Sequence, residues 1–131
     1  MSFEAYAAEC AVCEIDTEIK KTLCSVCLTQ KVLRGKWKIV ILWLLREKEL
    51  RFSQLRKSIP NITQAYLSGQ LKDLESDNLV IRESYNEIPP RVEYSLTEEG
   101  RKLIDVINHA NEWGADYMMK QMGRLQVQEG D

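Results

Sequence analysis

The chain has 131 residues, 44% of them apolar and 29% charged, a balance that suits one folded domain and excludes a disordered or collagen-like chain. Its formal charge of -2 hides a segregation. Residues 1–19 carry five acids and no Lys or Arg, residues 20–91 carry fourteen bases and seven acids, and residues 92–131 carry four bases and eight acids, so a basic middle suited to a polyanion lies between acidic ends.

Taken in chain order, residues 1–23 form an acidic, Ala-rich segment with two Cys and weak periodicity. The start, Met1-Ser2-Phe3-Glu4, lacks a basic and apolar leader pattern, so no signal peptide is expected. Residues 24–46 read as one long helix whose apolar face includes Val32, Trp37, Ile39, Val40, Leu42, Trp43 and Leu44. The apolar run at 39–45 is too short to cross a bilayer, so a reducing cytoplasm without membrane attachment is expected. Residues 50–52 are a short extended piece, and Ser53 is placed to cap a helix over 53–59 with Leu55 and Ile59 inward. Pro60 and Asn61 turn the chain. Thr63 caps a helix to about Asp77, which Asn78 ends in the left-handed region. Residues 79–85 and 91–96 read as strands joined by a Pro-containing loop. Thr97, Glu98 and Glu99 open a last helix that runs to about Met122, with 123–131 as a flexible tail.

Two helices joined by a tight turn and followed by a hairpin describe a winged helix-turn-helix, an α+β but mostly α fold with N- and C-terminal dimerisation helices. The helix over 63–77 is the centre of the functional reading. At about 100° per residue, Leu71 and Leu74 fall near Leu67, whereas Ala65, Ser68, Gly69 and Lys72 fall opposite, with Gln64 and Tyr66 on the flanks. A slim polar face can enter the major groove of double-stranded DNA. Gln64 and Ser68 suit base edges, the Ala65 methyl suits thymine, and Lys72 suits phosphate. An ordinary surface helix is the plainer reading, but it leaves the absence of bulky charges from two exposed turns unexplained. The loop 85–91 is the wing, with Arg91 and Asn86 as DNA contacts, unless Arg91 merely pairs with Glu93 or Glu83. Arg34, Lys36, Lys38, Arg51, Arg56 and Lys57 are further phosphate candidates.

Three segments make the chain recognisable: residues 33–42 (LRGKWKIVIL), 50–55 (LRFSQL) and 89–97 (PPRVEYSLT). At this spacing, over about residues 24–115, the chain resembles the HxlR-type transcription regulators, relatives of the MarR group. The resemblance implies a homodimer that binds a two-fold operator as repressor or activator. It maps the recognition helix onto 63–74, including Thr63, Gln64, Ala65, Tyr66, Ser68, Gly69 and Lys72, and the wing onto 85–91. Family members often carry a Cys where Cys24 stands, and in several it senses electrophiles or oxidants. The chain departs from the pattern at Gly69, where a longer polar residue is usual, and at Cys10, Cys13 and Cys27.

The cysteines form two CxxC units, Cys10 with Cys13 and Cys24 with Cys27. Two such units match a tetrahedral zinc site. A redox switch at Cys24, with its thiolate favoured by a helix N-terminus, is the second reading, and inert thiols the third. On the last helix, Leu103, Ile104, Ile107, Ala110, Trp113 and Tyr117 exceed what a small domain needs for cover and are expected at a dimer interface. His109, the only His, reads as a surface residue. An enzyme is not expected, because no triad, phosphate loop or pocketed carboxylate pair is visible. The alternative function is a protein-interaction adaptor with a winged helix and a structural zinc knuckle built from the four cysteines.

Overall fold

The computed structural model describes the backbone of residues 17–129 and the side chains of residues 25–128. The apolar stretch expected as one helix over 24–46 is two: α1 (Thr17–Val32) and α2 (Lys38–Leu44). The break centres on Gly35, whose φ of +124° is a conformation that L side chains rarely adopt. A Cβ there would lie 2.7 Å from Gln70 Oε1, the end of a flexible side chain that can move, so it is the positive φ that favours glycine. The helical start therefore moves back to Thr17, inside the segment read as a separate acidic arm.

β1 (Leu50–Arg51) leads directly into α3 (Phe52–Ser58). Ser53 does not cap α3, because the N-cap is Arg51. Gln54 takes over the capping, its Oε1 accepting the Arg51 backbone N–H at 2.8 Å. Leu55 and Ile59 are buried as the spacing predicts.

α4 (Gln64–Ser76) starts where the sequence predicts, with Thr63 Oγ1 accepting the Tyr66 backbone N–H at 3.1 Å. It ends in two bonds of the Schellman type: Leu79 N–H donates to the Leu74 carbonyl at 2.9 Å and Asn78 N–H to the Glu75 carbonyl at 3.0 Å. Asn78 supplies the required positive φ, +60°.

β2 (Val80–Tyr85) and β3 (Arg91–Leu96) form the hairpin, and β1 adds to the other edge of β3, giving the antiparallel order β1-β3-β2. The register pairs Val80 with Leu96, Arg82 with Tyr94, Ser84 with Val92 and Tyr85 with Arg91. Directly paired residues share a face. Val80, Tyr94 and Leu96 therefore place one face of the hairpin toward the core, and Ile81, Glu83 and Tyr85 project from the other.

α5 (Glu98–Glu129) is longer than expected and continues through most of the segment read as a flexible tail. Its start is stitched to the end of α4. Thr97 N–H donates to the Leu79 carbonyl, Thr97 Oγ1 donates to the Asn78 carbonyl, and Gly100 N–H donates to Thr97 Oγ1. Gly100 is required here, since an added Cβ would overlap the Leu79 carbonyl oxygen.

The core lies between the helices and the inward face of the sheet. Ile41, Leu42, Leu55, Ile59, Leu67, Leu71 and Leu74 are its fully buried centre. Among the described residues no helix is long and apolar enough to cross a membrane.

Two of the helical glycines, Gly100 and Gly69, give opposite expectations. Gly100→Ala should destabilise the fold by about 1–3 kcal/mol through overpacking. Gly69→Ala should stabilise it by about 0.5–1 kcal/mol, because nothing lies within 4 Å of the new methyl. Urea unfolding at one fixed protein concentration reads both, and equal midpoints for the two variants would contradict this packing.

Candidate nucleic-acid interface

The geometry of α4 follows from its leucines. Leu67, Leu71 and Leu74 are at most 1% exposed, and this anchors one side of the helix in the core. Gln64, Ala65, Tyr66, Gly69 and Lys72 are exposed, and Ser68 is half-buried at the edge of a groove. Thr63 is also exposed, with its hydroxyl engaged in the cap. The flank of α4 is fastened to α2. Lys38 Nζ lies 3.5 Å from Asp73 Oδ2, and one turn earlier Gln70 abuts Gly35.

Lys38 is therefore not a phosphate contact: its side chain is 8% exposed and holds the carboxylate of α4. An isolated buried ammonium is strongly disfavoured, so the fold supplies the partner. Lys36 is exposed beside Trp37, with Nζ 5.2 Å from the ring centroid. Arg34, Arg51, Arg56 and Lys57 are exposed too. Arg51 pairs in register with Glu93, on the outward face of the sheet.

The wing differs from the expectation at Arg91. Its guanidinium contacts Glu87 Oε1 at 3.2 Å and Glu93 Oε1 at 3.5 Å and stacks over Tyr85 at 4.2 Å. The Tyr85 hydroxyl donates to Glu83 Oε2 at 2.7 Å. That hydrogen bond, with the nearby carboxylates, holds the Tyr85 phenol above its ordinary value. Three carboxylates near one guanidinium make the outward wing base acidic. Arg91 is thus tied into the hairpin rather than extended toward a phosphate.

A free cation instead stands on the inward face. Arg82 pairs in register with Tyr94 and is exposed. It lines a groove of about 460 Å³ together with Phe52, Leu71, Val92, Tyr94, Gln64, Ser68, Lys72 and Glu75. Three of the polar positions predicted on α4 (Gln64, Ser68 and Lys72) border this groove. Sequence reasoning misses Arg82, because a lone Arg in a strand looks like ordinary solvation. The available signal is the alternation of β2, in which Val80 points inward and Arg82 occupies the next inward position.

The apolar stripe of α5 divides. Ile107 is 4% exposed and belongs to the core of its own chain, and Leu103 and Ile104 are partly buried against it. Of these three only Ile107 is a core residue, while Leu103 and Ile104 lie at the edge of the core. Ala110, Trp113 and Tyr117 are exposed, and the two rings stack at 4.8 Å. Met118, Met122 and Leu125 are each more than half exposed. At about 100° per residue they fall within about 60° of Ile107, so the core-facing side of the helix runs on beyond its own core. His109 is exposed, with Nδ1 2.8 Å from the Asp105 carbonyl oxygen.

Cys10, Cys13 and the Cys24 side chain lie outside the described residues. The backbone of Cys24 is the eighth residue of α1, well past the helix start. A helix N-terminus is therefore not what would favour its thiolate. Cys27 is a half-buried free thiol. Among the described residues no His, Cys, Asp and Glu group is arranged to hold a metal ion.

A helix-turn-helix with its second helix exposed on a polar face, a three-stranded sheet and a hairpin wing define a winged helix-turn-helix protein. Residues 32–122 match the family described as HxlR-like helix-turn-helix, and the chain belongs to that family. It is 46% identical over 95 residues to an uncharacterised HTH-type transcriptional regulator of Methanothermobacter thermautotrophicus, covering 72% of each chain. The redox regulator HypR in its reduced form is similar in structure, with a TM-score of 0.68 at 42% identity over 70% of this chain and 91% of that one. A MarR-family transcriptional regulator from Enterococcus faecalis V583 matches with a TM-score of 0.70 at 38% identity, over 76% and 91% of the two chains. The chain is thus a DNA-binding transcriptional regulator of the HxlR and MarR type, and not an enzyme.

The Lys38–Asp73 pair gives an asymmetric expectation. Lys38→Met keeps the volume and removes the buried charge, leaving Asp73 58% exposed and solvated, so stability should change by less than about 1 kcal/mol. Asp73→Ala strands the ammonium and should destabilise by about 1–3 kcal/mol. Chemical denaturation of the two variants decides the matter, and a larger loss in Lys38→Met would contradict the pairing.

Proposed function

We propose that the chain acts in the cytoplasm as a homodimer that presents two copies of α4 to a two-fold DNA operator. The observation that carries this is the division of α4. Its leucines are sealed in the core, while Gln64, Ala65, Gly69 and Lys72 stand free along one side. That side is narrow enough for the ~12 Å major groove. Gln64, Ala65 and Ser68 read bases, Tyr66, Thr63 and Gly69 border the approach to the backbone, and Lys72 binds phosphate. Lys36 and Arg51 are outlying phosphate contacts.

Dimerisation is supported by α5. Its distal half exposes apolar residues on two sides, Trp113 and Tyr117 on one and Met118, Met122 and Leu125 on the other. A helix apolar on several sides is a helix covered in an assembly. A second copy of the same helix is self-complementary and supplies the two-fold axis that an operator needs.

Thiol oxidation is the control we infer, rather than zinc. The similar regulator HypR is a redox regulator with structures in a reduced and an oxidised form. Cys24 and Cys27 also sit on a continuous helix, where the turn that a CxxC zinc unit uses is missing. Protein purified without chelator should carry substoichiometric zinc by elemental analysis. One equivalent of zinc bound by the four cysteines would reverse that choice.

For DNA, Lys72→Ala should weaken binding to all duplexes about equally, with a shallower salt dependence. Gln64→Ala and Ser68→Ala should change base preference by about 1–3 kcal/mol at single positions. Selection from a randomised duplex pool with each variant reads this, and three wild-type profiles would remove α4 from the interface. For assembly, Trp113→Glu combined with Tyr117→Glu should turn a sedimenting dimer into monomer, and an unchanged dimer would place the contact elsewhere.

A further inference from the structure

The groove between α4 and the hairpin has the makings of an anion site. Its floor is Phe52, Leu71, Val92 and the Tyr94 ring, all rooted in or against the core. Two cations flank it, Lys72 from α4 and Arg82 from β2. Among the described residues neither side chain forms an ion pair or hydrogen bond, whereas Arg91, Lys38, Lys102 and Lys120 each have a carboxylate partner. Arg82 also occupies the inward register of β2, where the alternation set by Val80 calls for an apolar side chain. Ile81 stands outward instead, 44% exposed. An Arg in this inward position lines the groove that the polar side of α4 also borders.

A third group points the same way. Tyr94 is 8% exposed, yet its hydroxyl is neither hydrogen-bonded nor sealed in the core. It is a donor without a partner on the floor of the groove, and its Cα pairs with that of Arg82. A guanidinium, an ammonium and a phenol O–H can all donate to one oxyanion. Glu75 is the opposing group on the rim, and it too lacks a partner among the described residues.

We propose that this groove holds one phosphodiester of the DNA backbone, clamped by Arg82, Lys72 and the Tyr94 hydroxyl, beside the stretch of major groove that α4 enters. The assignment rests on the DNA-binding reading of α4, whose polar side borders the groove. Arg82 then has the role in the interface that Arg91, held by two carboxylates, does not fill. Glu75 sets the strength of the clamp by opposing the bound charge.

The test uses full-length protein and fluorescein-labelled mixed-sequence duplex DNA, with anisotropy titrations over a range of KCl. Arg82→Ala should weaken binding by about tenfold at low salt and reduce the log–log salt slope by about 0.9, the value of one lost phosphate contact. Arg82→Lys should restore most of the slope, and Tyr94→Phe should weaken binding by a few-fold. Glu75→Gln should tighten binding by a few-fold, a gain that damage to the fold cannot produce. If the wild type binds the duplex and Arg82→Ala keeps the same slope, the clamp is wrong and the role of α4 stands. A weaker Glu75→Gln overturns it as well. If the wild type shows no salt-dependent binding to any duplex, both the clamp and the regulator reading of α4 fall.

Discussion

The burial of Leu67, Leu71 and Leu74 is the constraint on which the rest of the molecule depends. Three side chains at helical spacing are withdrawn from water together, and each contributes on the order of 1.5–3 kcal/mol of transfer free energy. Once they are fixed, the rotation of α4 is fixed as well. Gln64, Ala65, Gly69 and Lys72 then stand on the surface with no freedom to turn away. Thr63 and Asn78 set where the helix begins and ends, so the exposed polar side has defined limits.

Neighbouring elements hold that rotation rather than create it. The buried Lys38 reaches Asp73, and the bare backbone of Gly35 admits Gln70, so α2 grips one flank of α4. The Schellman end passes directly into β2, and Thr97 and Gly100 lock the start of α5 onto the same junction. The end of α4, the start of β2 and the start of α5 therefore meet at one point, near Leu79.

What can be read from the residues alone is uneven for physical reasons. The spacing of Leu67, Leu71 and Leu74 and the cap at Thr63 are local, and they place α4 to within a residue. The hairpin is equally local, because its β-branched and aromatic runs are bounded by Asn78 and the Pro89-Pro90 pair. The break at Gly35 is hidden because apolar residues continue on both sides of it, and only the positive φ of Gly35 marks it. Ser53 looks like a cap, but Gln54 can reach the Arg51 N–H and takes the position. At the interface, side-chain partners decide what spacing cannot. Arg91 and Arg82 are alike as letters, yet one is surrounded by Glu87, Glu93 and Tyr85 and the other faces an open groove. Ile107 and Met118 share a helix face and an apolar character, and only the distance to the core separates a core residue from an exposed one.

The most direct measurement of the central claim is amide chemical-shift mapping of the protein with and without duplex DNA. The account predicts that the amides of Gln64, Ala65, Ser68 and Lys72 shift, together with those around Arg82, while the distal half of α5 stays unmoved. Shifts that cluster on Trp113 and Tyr117 and leave residues 64–72 where they were would contradict it.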